Sequence, residues 1–386
     1  LNKNIRKYYA VLGISMALGI RQLSMTIIIP FLTTYSKTLI GSTPILAGLT
    51  IGIFGLMQAI FQVPFGMLSD KYGNKKIMIV GLLLVIGGLL LSAFAKNIYT
   101  FILARAIQGS GAIIGVGYSW SSSIYNKNDQ DIPMSILGSF ISMSAAVAFL
   151  LGPILILFVN IKEIFLICST ILIVNLIFIG YFINDNYSKG DSEIFKIIEV
   201  KKLIKNKKIV LFNSIAFIMN FIMISIFYSI PLTIETTIGQ NKMWEILLPT
   251  IIFSIFILKF AINKKEKYQD LIFKFALGLV MVSTIVLSMN NSFKYLFIGM
   301  ALFFSGYLVS LTFMAIEINQ FTDNTIKGTV NGIYNSFQYI GNFIGAIFSG
   351  LFFVKNPDYF WIVLIIISTI SLMLSFKIYK KGKRER

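Results

Sequence analysis

Three ionisable side chains stand inside long apolar runs of the sequence: Arg21, Arg105 and Glu317. A charge in such a run is costly unless it faces a polar cavity or a partner of opposite sign. Each is therefore a candidate for chemistry with ions. Glu317 is the one carboxylate clearly inside a predicted span. Burial disfavours an ionised carboxyl and a nearby arginine favours it, so a carboxyl whose surroundings change can load and release a proton. Two blander readings stay open. Glu317 lies near the inner end of its span and can sit in water there. Arg105 lies about two turns from the outer end and can reach back to the interface.

What is missing narrows the chemistry further. The chain has no histidine, which removes imidazole triads, imidazole metal sites and imidazole proton relays. Its single cysteine, Cys168, lies in an apolar run, so neither an intrachain disulfide nor a CxxC metal site is available. No G-x-x-x-x-G-K-[ST] loop occurs, which closes that route to ATP hydrolysis. An enzyme embedded in the membrane would need a nucleophile–base pair or a metal site within its spans. The expectation is no enzyme, no cofactor and no metal.

The elements that position these residues follow from composition. Of 386 residues, 56% are hydrophobic and 13% charged, against roughly a quarter charged in soluble domains. A spanning helix needs about 20 apolar residues. Twelve runs of that kind fall at 8–36, 45–68, 76–95, 98–123, 132–159, 162–183, 209–234, 243–263, 270–290, 293–320, 325–353 and 358–379. The fold class is an all-α polytopic membrane protein. Its expected domains are a six-helix half over 1–183, a lysine-rich cytoplasmic linker over 184–208, and a second half over 209–386 with a short basic tail. Lys3, Arg6 and Lys7 precede a first run that is too long for a signal peptide, so it reads as an uncleaved span. With both termini inside, the cytoplasmic loops hold 25 Lys and Arg and the outer loops six. That bias fixes the orientation in a plasma membrane. It also explains the net charge of +18 by attraction to anionic inner-leaflet lipid, without nucleic acid.

The loop after the second span reads Gly66-Met67-Leu68-Ser69-Asp70-Lys71-Tyr72-Gly73-Asn74-Lys75-Lys76. It resembles the signature loop of the major facilitator superfamily, G-x-L-[AS]-D-[RK]-x-G-[RK]-[RK], departing at Asn74. The two glycines suit close helix packing and a tight turn. The fourth span carries Arg105-Ala106-Ile107-Gln108-Gly109-Ser110-Gly111, which resembles the R-x-x-Q-G-x-G signature of the same superfamily. In the fifth span Ser139, Ala148, Gly152 and Pro153 fall at the spacing of the antiporter signature, but Ile156 and Leu157 stand where two glycines are usual. Gly152-Pro153 predicts a bend, because proline removes a helical hydrogen bond; a bend with no transport meaning is the alternative. Pro30-Phe31-Leu32, the run Ile51–Ala59 and Phe61-Gln62-Val63-Pro64 are similar to the YajR-type branch of drug/proton antiporters.

The resemblance implies a twelve-helix fold of two halves that rock about a midplane site. It implies proton-coupled efflux of hydrophobic small molecules by a monomer, whose partners are protons, cargo and the lipid bilayer. A proton-coupled importer or exporter of one metabolite shares the same fold and signatures. Met25, Tyr118, Asn220 and Tyr228 are candidate cavity residues, on spans 1, 4 and 7; flexible methionine and aromatic surfaces suit varied ligands. Arg21, Arg105, Gln108 and Glu317 form the intramembrane polar and coupling set. Gly66, Asp70, Lys71, Gly73, Lys75 and Lys76 form a conformational switch. Within it Asp70 is expected to latch onto the start of the eleventh span, near 322–325, where a helix N-terminus offers partial positive charge.

Overall fold

A backbone in hydrocarbon has no water to bond, so each spanning segment must satisfy its own amides, and helices do this. The computed structural model describes residues 3–125, 131–183, 206–239, 242–289, 292–320 and 327–379. Its helices are α1 Lys3–Thr26, α2 Leu32–Lys37, α3 Pro44–Tyr72, α4 Asn74–Phe94, α5 Ile98–Ser110, α6 Ile114–Ser123, α7 Asp131–Leu155, α8 Ile161–Phe182, α9 Lys207–Thr237, α10 Met243–Asn263, α11 Lys265–Met289, α12 Phe293–Gln320, α13 Lys327–Phe352 and α14 Pro357–Tyr379. Asparagines set several of the starts. Asn97 accepts from the Thr100 amide at 2.8 Å, and Asn160 forms a reciprocal capping box with Glu163 ahead of α8. Such caps satisfy amides that the first turn leaves unbonded.

Among the described residues, eleven helical segments are long and apolar enough to cross a bilayer. On α10 the exposed face is Ile252, Phe253, Phe256 and Phe260, while Ile246, Leu247, Thr250 and Ser254 are buried. An apolar stripe of that size facing outward is stable only against lipid. The remaining predicted span is α13, 26 residues long. It is more polar than the others because Asn331, Asn335, Gln338 and Asn342 run down one side at helical spacing. A second side turns Gly341 and Gly345 to the backbone carbonyls of Phe217 and Phe221 on α9.

The chain divides into two compact units. The first holds Leu1–Ser42 and Ile53–Lys196; the second holds Thr43–Gly52 and Ile197–Arg386. In the first, α1 packs along α7, and α4 against α5 and α8. Tyr35, Phe101 and Phe165 cluster there edge to face, with Phe101 5.3 Å from Tyr35 and 5.9 Å from Phe165 between ring centroids. In the second, α9 packs along α13, α11 along α12, and α14 along α11. Hydroxyl pairs cross helix interfaces, Ser254 on α10 with Ser305 on α12 at 3.1 Å and Thr284 on α11 with Ser368 on α14 at 3.3 Å, contacts favoured where the competing solvent is hydrocarbon. Residues 184–205, most of the expected linker, lie outside the described residues.

Several expectations need correction. The first span is not one helix: α1 stops at Thr26, a single 3-10 turn covers Ile29–Phe31, and α2 follows. Pro30 lies in that turn and has no amide hydrogen to continue the ladder. The fourth span is also broken, between Ser110 and Ile114. The fifth does not run on to 159 as a helix; α7 ends at Leu155, two residues past Pro153. The seventh runs past 234 to Thr237 and so takes Glu235 into the helix. Gly66 makes no close packing contact, since a side-chain carbon placed there would meet nothing within 4 Å. Gly73 does make the tight turn: its φ is +96°, in the region that side chains avoid.

Candidate functional site

The first unit buries a polar track. Arg21 on α1 is 1% exposed and Arg105 on α5 is 2% exposed. A guanidinium in the centre of a bilayer costs about 2.5–3.5 kcal/mol on insertion scales, and a hydrogen bond to a charged group returns about 1.5–3 kcal/mol. One or two such bonds are therefore enough to hold it. Arg21 donates to Gln58 Oε1 on α3 at 2.5 Å. One turn further on, the Gln62 amide lies 3.5 Å from that of Gln58. One turn back, the Phe54 ring lies under the Arg105 guanidinium, 4.9 Å from its centroid. Arg105 also donates to Gln108 Oε1 within α5. Phe54, Gln58 and Gln62 thus form one face of α3, and both guanidinium groups rest on it. Arg105 is held in the interior; it does not reach back to the interface.

The break in the fourth span adjoins this track. Gly111 ends α5 with ψ 61°, outside the helical region. A side-chain carbon on Gly111 would come within 2.5 Å of the Gly81 carbonyl on α4, so the helix contact requires glycine there. α6 begins at Ile114. The Gln62 side-chain nitrogen lies 3.4 Å from the place where a Gly115 side chain would start. The first turn of α6 therefore lies beside the glutamine pair.

In the second unit Glu317 on α12 is 2% exposed and accepts a hydrogen bond from Gln269 on α11. It is buried, not in open water. Asn220 on α9 donates to the Ala216 carbonyl at 2.9 Å and accepts from the Tyr307 hydroxyl at 3.4 Å.

The other expected residues separate. Met25 is buried on α1 and Tyr118 is half-buried on α6. Tyr228 does not join Asn220: its hydroxyl donates to the Pro44 carbonyl at 2.9 Å, and its ring packs on Phe353. Gly152 lies against the Ile27 carbonyl, where α1 has just ended, with Pro153 beside it in the last turn of α7. In the signature loop Lys75 donates to the Gly180 carbonyl near the end of α8 at 2.8 Å, Lys71 lies over the Tyr72 ring at 5.2 Å, and Lys76 is exposed. The Asp70 side chain and residues 321–326, the expected latch partner, lie outside the described residues.

Sequence reasoning gave no role to Gln58 or Gln62 and missed Gln269 and Tyr307 altogether. A signal existed for the first two, since amides four residues apart in an apolar helix present one polar face. Gln269 and Tyr307 had no such signal.

The Major Facilitator Superfamily profile matches residues 14–346. The chain is 30% identical over 349 residues to an uncharacterized transporter, BU466, of Buchnera aphidicola subsp. Acyrthosiphon pisum, covering 89% of this chain and 90% of that one. It is 28% identical over 352 residues to the inner membrane transport protein YajR of Escherichia coli K12, covering 88% of this chain and 76% of that protein. With the two identities this near, the comparisons single out no branch. Among solved structures, a bacterial homolog of the human lysosomal transporter Spinster, inward-facing and unoccupied, superposes with a TM-score of 0.77 over 99% of this chain and 98% of that one, at 13% identity.

Proposed function

The chain belongs to the major facilitator superfamily, and from that premise we propose that it exports hydrophobic small molecules in exchange for protons. It is a secondary-active transporter working by alternating access, not an enzyme. The observation that carries the proton part is the burial of Glu317 against Gln269. Among the described residues it is the only buried carboxylate. A carboxylate buried within a membrane span is rare and marks a proton or ion pathway. The likeness of several segments to the YajR-type branch supports efflux, and the loop 66–76 supplies the switch. Its lysines and those of the neighbouring loops support cytoplasmic termini by the excess of positive charge on that side.

The test uses the whole protein in vesicles, with ethidium as the cargo probe. A pH gradient should drive ethidium uphill, and Glu317→Gln should abolish uphill movement while leaving exchange across the membrane. Uphill transport that survives Glu317→Gln removes that residue from coupling. A second reading, transport of one particular metabolite, is favoured by the two buried arginines.

A further inference from the structure

We infer that the second unit holds a recognition site for flat aromatic molecules that carry N–H donors, the aryl amines, formed by Asn213 and Asn220 of α9, Tyr307 of α12 and Asn342 on the amide side of α13. This inference rests on the transport reading above and names the chemistry by which the cargo is held.

Helix geometry puts these groups on one side of the α9–α13 pair. Gly341 lies against the Phe217 carbonyl and Gly345 against that of Phe221, so the two helices run in the same direction and the glycines mark their line of contact. At about 100° per residue, Asn213 and Asn220 stand about 40–60° to one side of Phe217 around α9. Gln338, Asn335 and Asn342 stand about 60–120° from Gly341 around α13, in the opposite sense. For two parallel helices, opposite rotations open to the same side. The other flank of α13 carries Phe337, Ile340 and Ile344, all exposed, which is the side turned to lipid. The amides therefore face inward. There α12 packs against both helices, Tyr307 donates to Asn220 at 3.4 Å, and Tyr334 of α13 lies near Tyr307 and Gln338.

Two open acceptors show what this side lacks. Asn213 is 4% exposed, and its side-chain oxygen receives no hydrogen bond among the described residues. The same is true of the buried side-chain oxygen of Asn342. Buried polar groups left open are uncommon, and each of these calls for a donor. By the glycine register, Asn342 stands about 8 Å along the axis from Asn213, within the length of a fused three-ring plane. Asn220 differs: it is bonded to Tyr307 and to the Ala216 carbonyl, so it holds the tyrosine in place. The Tyr307 ring stacks on Phe303, with centroids 5.5 Å and planes 21° apart, and provides a flat apolar surface. An aryl amine combines a plane that stacks on such a ring with edge N–H groups that reach amide oxygens. The groups that recognise it are neutral, so the site selects plane and donor without requiring a charge, and an aromatic face accommodates a cation. Ethidium, a planar cation with two aryl amines, meets both conditions.

The test is fluorescence binding of ethidium to the full-length protein in nanodiscs, with the signal of empty nanodiscs subtracted and rivals read by displacement. The first rival is the phenanthridinium that keeps ethidium's plane, phenyl and ethyl groups and charge but lacks both amines. Neutral diaminophenylphenanthridine and phenylphenanthridine form a second pair without the charge. The inference expects each amine to bind about tenfold tighter than its amine-free partner, in both pairs. Asn213→Leu and Asn342→Leu should each cut that advantage to about threefold, and the double variant should abolish it. Asn213→Leu should also keep or raise the unfolding midpoint, because it replaces an open buried amide by an apolar group. A lowered midpoint would mean that the fold itself uses this amide, and overturns its assignment to cargo. Equal binding within either pair, or an amine advantage that survives in the double variant, overturns the site. If Asn342→Leu does not fold, the two pairs on the parent protein still decide. Ethidium flux on a pH gradient with no amine preference would sink this site and leave the transport reading intact. Amine-selective binding without flux of ethidium would do the reverse.

Discussion

Arg21 on α1 donates to Gln58 on α3 at 2.5 Å, and both side chains are buried in the apolar interior of the first unit. The pair spans 37 residues of sequence and joins two helices through a charge-assisted hydrogen bond. Gln58→Leu should remove a charge-assisted bond and lower stability by about 1–3 kcal/mol, read as a lower unfolding midpoint. Gln58→Glu should keep the fold, because it supplies a counter-charge. An unfolding midpoint unchanged in Gln58→Leu would contradict a stabilising role for the bond.

Gly111→Ala tests the break in the fourth span. The new carbon would meet the Gly81 carbonyl at 2.5 Å, and that neighbour is backbone. Overpacking against an immovable group costs about 1–3 kcal/mol, so the variant should unfold at a lower temperature than the parent. Gly87→Ala is the control, because nothing lies within 4 Å of it and alanine favours the helix. Equal stability of the two variants would mean that α4 and α5 separate freely at this level.

Two glycines of the signature loop should behave oppositely. Gly73 has φ +96°, and any side chain there is strained by about 1–2 kcal/mol. Gly66 faces open space inside α3, so Gly66→Ala should leave the unfolding midpoint unchanged or slightly raised, since alanine favours the helix. A loss of transport in Gly66→Ala with normal stability would then report on switching, not on packing. A stability loss in Gly66→Ala would contradict the open surroundings.

Lys75 donates to the Gly180 carbonyl near the end of α8, where a cation also meets the negative end of the helix. Lys75→Met should cost about 0.3–1 kcal/mol at low salt, and the difference should shrink as salt rises. A deficit that does not respond to salt would point to packing of the side-chain stem.

Much of the architecture was legible because lipid leaves a backbone few options. Apolar runs of sufficient length mark the spans, and Gly73 announces its turn through residue type alone. The interruptions were harder. Pro30 and Gly111 lie within runs that stay apolar over a full span's length, so window-scale reasoning carries the helix across them, and the ladder geometry shows the breaks. The site divides in the same way. Arg105 and Gln108 share a helix face three residues apart, a relation that spacing reveals. Arg21 with Gln58, Gln269 with Glu317 and Asn220 with Tyr307 join distant helices, and their pairing depends on helix rotation that one sequence does not encode locally. Tyr228 shows the same dependence: its ring type suits a cavity, and it is helix rotation that takes its hydroxyl to the Pro44 carbonyl.

Proton coupling through Glu317 is tested most directly by cargo-induced proton movement in vesicles that contain this protein alone. Adding ethidium on one side should shift the internal pH within the time course of ethidium flux, with Glu317→Gln removing the pH change and sparing downhill ethidium exchange. Ethidium crossing with no proton movement in the parent protein, or proton movement undiminished in Glu317→Gln, would contradict that account.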